Sequence, residues 1–415
     1  MTNNKLQTYN QSHHGISAEQ ISPSARAIIT KLLENGYVAY IVGGAVRDLL
    51  LGMHPKDFDI ATNATPDQIK YVFQKHCRII GRRFKLAHVY HNREMYEVAT
   101  FRGVAAGGDR IVKQGHIVRD NVFGSIDQDA VRRDFTCNAL YFDIENANIL
   151  DFCNGVEDIN QGRLRFIGEN NQRIIEDPVR MIRAVRFQAK LGLNIPVAMR
   201  NAILQQSQTL YNVSFARLFD ELVKVFHCGS AHKAYELMNE LQLFQHIFPQ
   251  AIVAINSSDQ YIRFVHNALK STDLRIKQQK SVTPIFLFAC FLWPMTCIKI
   301  NKYLAAGMVP YDAVNKAANQ TFDLSRRNLS IPRIVQIGIR NIWLLQHRFS
   351  HTKGKKVFFT LEHPRFRAAY DFLLLRAHES VELQKQGDWW THIQTISKAK
   401  QIDLIFSKKK TKYKK

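Results

Sequence analysis

The feature that most constrains this chain is a change of hydrophobic period near Gly155. Before it, short apolar runs of strand length alternate with helical stretches. From Asp177 onward helical spacing persists almost everywhere, and no convincing strand appears. Side chains return to the same face every second residue in a strand and every three to four in a helix. The two patterns call for different layers, so the chain is expected to begin as a small sheet backed by helices and to continue as an all-helical body. The fold class is therefore α+β. The expected divisions are a mobile end over residues 1–22, a head over 23–155, a helical neck over 156–275, a helical body over 276–400 and a basic tail over 401–415. At 415 residues there is ample chain for such cores.

Within the head, Ser24 is expected to cap a helix over 25–33 that stops near Gly36. Residues 37–42 read as a buried strand, which Gly43-Gly44 turns into a short helix over 45–51. Further strands are expected at 57–61, 87–91, 96–101 and 139–143, with a helix over 66–75. The sixteen histidines are not read as metal ligands, and His13-His14 falls in the expected mobile end.

The formal charge is +22, an excess that disfavours a compact fold unless a polyanion offsets it. Nucleic acid and an anionic membrane surface both meet that need. The most apolar run, residues 284–293, meets Pro294 at once and falls short of the roughly 20 residues of a spanning helix, so it reads as a buried core helix. No membrane partner is expected. The first residues are polar, without an apolar signal region. Six cysteines (77, 137, 153, 228, 290 and 297) form no CxxC pair and read as reduced thiols of a cytoplasmic protein.

Asp57-Phe58-Asp59 is the centre of the chemistry. On a strand, residues i and i+2 share a face, with Cα atoms about 6.6 Å apart. Two such carboxylates suit a pair of hard cations such as Mg²⁺ that also hold substrate phosphate. A lone DxD is usually just a solvated face; its surroundings change that reading. Upstream lies Gly43-Gly44-Ala45-Val46-Arg47-Asp48, where a diglycine between strand and helix lets backbone N–H groups approach a triphosphate and Arg47 suits its oxygens. Downstream, Arg132-Arg133-Asp134 followed by Asn138 offers two guanidiniums for phosphate or ribose and a third carboxylate; a structural ion pair explains the same residues. Glu97 is a further carboxylate candidate, ranked below Asp134. Asp177 and Pro178 fit a helix N-cap and first position. Capping does not account for Arg180, Arg183 and Arg186, spaced by three along that helix. Asp177 with Arg180 suits a nucleobase edge, and the other arginines suit phosphates.

These stretches together resemble the bacterial tRNA nucleotidyltransferase/poly(A) polymerase family: residues 41–52 with Asp57 and Asp59, then 132–136, then Glu176-Asp177 and Arg180. The resemblance implies a DNA polymerase beta-like nucleotidyltransferase head with helical neck and body. It implies that Asp57 and Asp59 hold two Mg²⁺ ions (Mn²⁺ being an alternative), with Asp134 as catalytic partner. It also implies that Gly44, Arg47, Arg132 or Arg133, Asp177, Arg180, Arg183 and Arg186 surround the incoming ATP, and Gly43 and Asn138 are expected among the nucleotide-binding residues with them. The family contains enzymes that build CCA on tRNA and enzymes that add AMP repeatedly. Residues 81–89, Phe215-Ala216-Arg217-Leu218-Phe219 and the 361–371 segment look like the poly(A) polymerase branch. The expected partners are therefore ATP and single-stranded RNA 3′ ends read with little sequence preference, in a role promoting RNA turnover. A CCA-adding activity and a non-catalytic RNA binder are the rival readings. Lys408, Lys409, Lys410 and Lys412 of the tail suit RNA phosphates. Phe358, Phe359, Phe366 and Tyr370 suit base stacking, although their helical spacing fits core packing better.

Overall fold

The structure, a computed structural model, describes residues 6–81, 85–103, 110–113, 116–120 and 122–406. The chain divides into two compact units, Met1–Arg180 with Leu191–Ile203, and Met181–Lys190 with Leu204–Lys415.

The first unit is built on an eight-stranded sheet. Its strands are β1 (Gln7–Tyr9), β2 (Ala39–Val42), β3 (Asp59–Thr62), β4 (Cys77–Ile80), β5 (Leu86–His91) and β6 (Glu94–Thr100), with β9 (Leu140–Asp143) and β10 (Asn148–Asp151). The order across the sheet is β1-β10-β9-β2-β3-β6-β5-β4; β7 (Arg110–Lys113) and β8 (His116–Asp120) form a separate hairpin. Only β3 and β6 pair in parallel; the other neighbours are antiparallel. Val42, Ala61, Phe101, Ala130, Ala139, Tyr141, Phe152, Cys153 and Ile167 form a core cluster beneath the site. The alternation expected for a half-buried sheet holds on β6, where Tyr96, Val98 and Thr100 are buried and Glu97 is exposed.

Several expectations need correction. Gln7–Tyr9 is an edge strand on β10, and His14 Nε2 lies 3.1 Å from the Ala147 carbonyl, where a mobile end was expected. Edge pairing works through backbone groups, so the polar Gln-Thr-Tyr run carries no hydrophobic signature. The next helix spans Pro23–Glu34 and is capped by Ser22, whose Oγ accepts from the Ala25 N–H at 3.0 Å; Ser24 is buried within it. Strands β4 and β10 were not anticipated. The unit boundary also lies beyond Gly155, because the helix Gly155–Asn160 belongs with the sheet. There Asp158, fully buried, accepts from Thr136 Oγ1 at 2.7 Å and from Arg165 Nε. A Cβ on Gly155 would lie 2.3 Å from the Thr136 carbonyl oxygen, so only glycine allows this approach.

The second unit is helical throughout its described residues, as the period requires. Its central helix, Pro284–Ala305, runs straight through Pro294 rather than ending there. Packing against Pro249–Ile255, Asp259–Lys277, Pro310–Ser325 and Arg333–Arg348 offsets the roughly 3 kcal/mol that an interior proline costs. By length and composition it is the one described helix able to cross a membrane, and most of it is buried inside the protein. All six cysteines are free, and four are buried.

Candidate nucleotidyltransferase site

Antiparallel register brings the glycine turn and the acidic pair together. Val42 is paired with Asp59, so β2 runs out into Gly43 where β3 begins. Gly43 has φ 73° and ψ −119°, a conformation that a residue with a Cβ rarely adopts, and it caps the helix Gly44–Leu50. The hydrogen-bonded ladder starts at Asp59, so Asp57 sits in the lead-in and not on the strand as expected. Both carboxylates are exposed.

Parallel pairing supplies a third carboxylate. Ile60 pairs with Val98, so Asp59 and Glu97 stand one step earlier on adjacent strands and share the opposite face. Burial by surrounding protein, reinforced by Glu97 and Asp57, pushes the Asp59 carboxyl up to about 6, against the pull of Arg133. Asp59 is thus open to solvent yet crowded by protein and by like charge. A hard divalent cation taken up by these oxygen donors would relieve the repulsion. Glu97, ranked lower from sequence, is the carboxylate that the sheet places beside Asp59; His88 on β5 lies 3.8 Å from it.

Asp134 is held differently. Its Oδ1 accepts from the Phe135 N–H at 2.9 Å and from Asn138 Nδ2 at 3.1 Å. Asn138 in turn accepts from Arg47 Nη1 at 2.6 Å, and Arg47 also donates from Nε to Asp48 at 2.9 Å. Arg47 is only 6% exposed, so this network braces the wall of the turn. The two neighbouring arginines separate. Arg132 donates to the Gly103 carbonyl. Arg133 donates to Asp129 at 2.9 Å and to the Tyr141 hydroxyl at 3.2 Å, with its guanidinium over the Tyr141 ring. Burial works against its charge, but Tyr141 and Asp129 outweigh burial and hold it firmly protonated. A Cβ on Gly43 would meet Arg133 Nη1 at 3.3 Å, which sets this cation against the glycine turn.

Asp177 performs the capping expected of it: its Oδ1 lies 3.3 Å from the Val179 N–H, and its carbonyl accepts from the Arg180 N–H at 3.0 Å. Arg180 donates to the Arg173 carbonyl at 2.6 Å and pairs with Glu176 at 2.9 Å. Arg173 was missed by the sequence reading. It donates to the backbone carbonyls of Arg132 and Arg133 and pairs with Glu176, so it pins the segment that carries Arg133. Its neighbour Glu176 was already in the motif; an arginine facing a helix C-terminus leaves no local signal. Arg183 and Arg186 continue along the helix Val179–Leu191, within the second unit, each over the Phe187 ring. Phe366 and Tyr370 are buried and Phe359 is exposed. Lys408, Lys409, Lys410 and Lys412, with Arg82, Arg83 and Phe84, lie outside the described residues.

Residues 39–165 match the poly A polymerase head domain, 192–255 a probable RNA and SrmB-binding site of polymerase A, and 306–415 the polymerase A arginine-rich C-terminus. Poly(A) polymerase I of Salmonella typhimurium is 42% identical over 403 residues, covering 94% of this chain and 86% of that protein. A CCA-adding enzyme of Lactobacillus helveticus is 35% identical over 223 residues, covering 54% of each. Among solved structures, the Bacillus stearothermophilus CCA-adding enzyme in complex with CTP superposes with a TM-score of 0.60 at 25% identity, covering 90% of this chain and 84% of that one. A nucleotidyltransferase head, RNA-associated segments downstream and likeness across nearly the whole chain lead to one assignment: this protein belongs to the bacterial poly(A) polymerases of the tRNA nucleotidyltransferase/poly(A) polymerase family.

Proposed function

We propose that this chain transfers AMP from ATP to the 3′-hydroxyl of RNA without a template and releases pyrophosphate. The observation that carries the reading is that strand register sets Asp59 and Glu97 on one face beside the Gly43 turn, with Asp57 near enough to raise the Asp59 carboxyl and Arg133 fixed at the edge of the turn. The attacking hydroxyl oxygen bonds to the α-phosphorus, the bond to pyrophosphate breaks, and the hydroxyl proton passes to solvent. Asp57 and Asp59, with Glu97 adjoining, would hold two Mg²⁺ (Mn²⁺ in their place is the alternative). Bound there, the cations supply Lewis-acid activation and charge neutralisation.

The remaining work belongs to the chain. Backbone N–H groups of the Gly43-Gly44 turn and the Arg133 guanidinium orient the triphosphate, while Arg47, Asn138 and Asp134 keep the turn rigid. Asp177 accepts from the adenine amino group and Arg180 donates to a ring nitrogen, so base choice comes from protein. RNA is gripped by cationic surface with little sequence preference, in keeping with the charge of +22. The setting is the cytoplasm, and the consequence is RNA turnover. Incubation with labelled ATP or CTP and a generic RNA tests the reading. Long A tracts support it; CTP incorporation confined to tRNA ends overturns it in favour of CCA addition.

A further inference from the structure

A cavity of about 240 Å³ lies wholly within the second unit, between the helices Asp259–Lys277 and Phe366–Arg376 and the start of Pro284–Ala305. Its wall includes part of the 361–371 segment, which the reaction at the head leaves unexplained. Three arginines, Arg275, Arg365 and Arg367, surround a single carboxylate, Asp371. Arg367 pairs with Asp371 at 3.0 Å and Arg275 at 3.4 Å. Among the described residues the Arg365 guanidinium has no ion-pair partner; its backbone N–H donates to His363 Nδ1 and its carbonyl accepts from the Ala369 N–H. The lining is therefore cationic by two charges if all four groups are ionised, and it holds an uncommitted guanidinium.

Charge alone would suit any anion. The rest of the lining narrows the choice. Val282, Phe286, Pro364 and Ala368 give an apolar wall, and Ser271 and Thr283 add hydroxyls. Asp371 is 20% exposed on its side chain; its Oδ2 takes both Arg275 Nη1 and Arg367 Nε, while Oδ1, paired with Arg367 Nη2, retains room for a further donor. A bare phosphate site gains nothing from a carboxylate in its lining. A nucleotide does: its phosphate meets arginine, its flat base lies against the apolar wall, and its N–H edge reaches the acid.

We propose that this cavity holds one nucleotide of the RNA strand, upstream of the reacting end, and that during tail growth the occupant is an adenosine of the new tail. The choice of adenosine rests on the polyadenylation reading, since adenosine is the one base that the reaction guarantees. Phosphate contacts fall to Arg365 and Arg367, and the exocyclic amino group donates to Asp371.

The test is equilibrium binding of fluorescent A15 and U15 to the full chain without ATP, alongside single-AMP addition to saturating RNA. R365A/R367A should weaken A15 binding by about tenfold, the size expected for lost charge-assisted contacts. Asp371→Asn should weaken A15 more than U15, and KM for ATP should stay unchanged in both. R365K/R367K, which keeps charge but loses the planar fork, should recover only part of the affinity and guards against misfolding. A15 affinity within twofold of the unmodified protein in R365A/R367A overturns the proposal. So does equal loss of A15 and U15 with no effect of Asp371→Asn, which would mean a basic surface without a base pocket. Because binding is read without catalysis, its failure leaves the head assignment standing. Loss of AMP addition by the unmodified protein would instead sink the polyadenylation reading.

Discussion

Arg47, Arg133 and Arg173 of the head are held differently from Arg365 and Arg367 of the helical unit. In the head, Arg47 is locked onto Asp48 and Asn138, Arg133 lies between Asp129 and Tyr141, and Arg173 grips backbone carbonyls. In the helical unit, Arg367 is largely exposed and Arg365 faces a cavity without an ion-pair partner among the described residues. The difference matches two tasks. Phosphoryl transfer gains from charges fixed before the reaction, because no reorganisation is then needed at the transition state. Holding a moving RNA strand needs attraction that tolerates slack, and solvated side chains provide it.

The most severe test of this contrast is Asp57→Ala. AMP transfer should fall by about 10³-fold, the scale of lost cation stabilisation, while RNA affinity stays within about twofold, since Asp57 is placed on substrate chemistry and not on RNA. Activity retained in that variant would break the comparison at its centre and favour a plain RNA binder.

Gly43→Ala comes next. It forces a side chain into positive φ, a strain of about 1–3 kcal/mol, and sets a methyl 3.3 Å from Arg133 Nη1. The rate at saturating RNA should drop about tenfold, on the scale of that strain, with little change in RNA binding; an unchanged kcat would show that Arg133 need not be held where it is.

A stability pair sharpens the contrast further. Arg173→Ala strips hydrogen bonds from two backbone carbonyls and should cost about 1–3 kcal/mol in urea unfolding. Arg367→Ala, which removes a largely exposed partner of Asp371, should cost no more than about 1 kcal/mol. Equal losses would mean that the two sets of arginines are braced alike.

The smallest effect concerns pH. The Asp59 carboxyl sits at about 6, pushed up by burial and then by Glu97, so it is protonated below that pH and ionised above it. Divalent-cation affinity should therefore weaken as pH falls through about 6. In the metal-free protein, Glu97→Gln should move the Asp59 titration downward by a fraction of a unit, as isotope-edited NMR would show. A static midpoint would place Glu97 too far away to matter.

Much of the head was legible because its signals are local. Gly43 and Gly44 announce a turn wherever they fall, and the runs around residues 40, 60, 88, 98 and 141 carry strand composition. Less visible were Gln7–Tyr9, which pairs through backbone, and the passage of Pro284–Ala305 through Pro294, which neighbouring helices sustain. Tertiary burial overrode a local rule there. Asp158 was missed for the same reason: its partners Thr136 and Arg165 become neighbours only after folding.

By itself, the sequence determined the division into a sheet-based head and a helical remainder, the Asp57/Asp59 pair and the glycine turn, because period, spacing and backbone freedom belong to contiguous residues. Only the tertiary structure decided that Glu97 adjoins Asp59, that Arg133 and not Arg132 lies against the Gly43 turn, and that Arg275 shares a cavity with Arg365. Those pairings depend on strand register and helix packing between segments far apart in the chain, and such distances are set only once the hydrophobic faces have closed on one another.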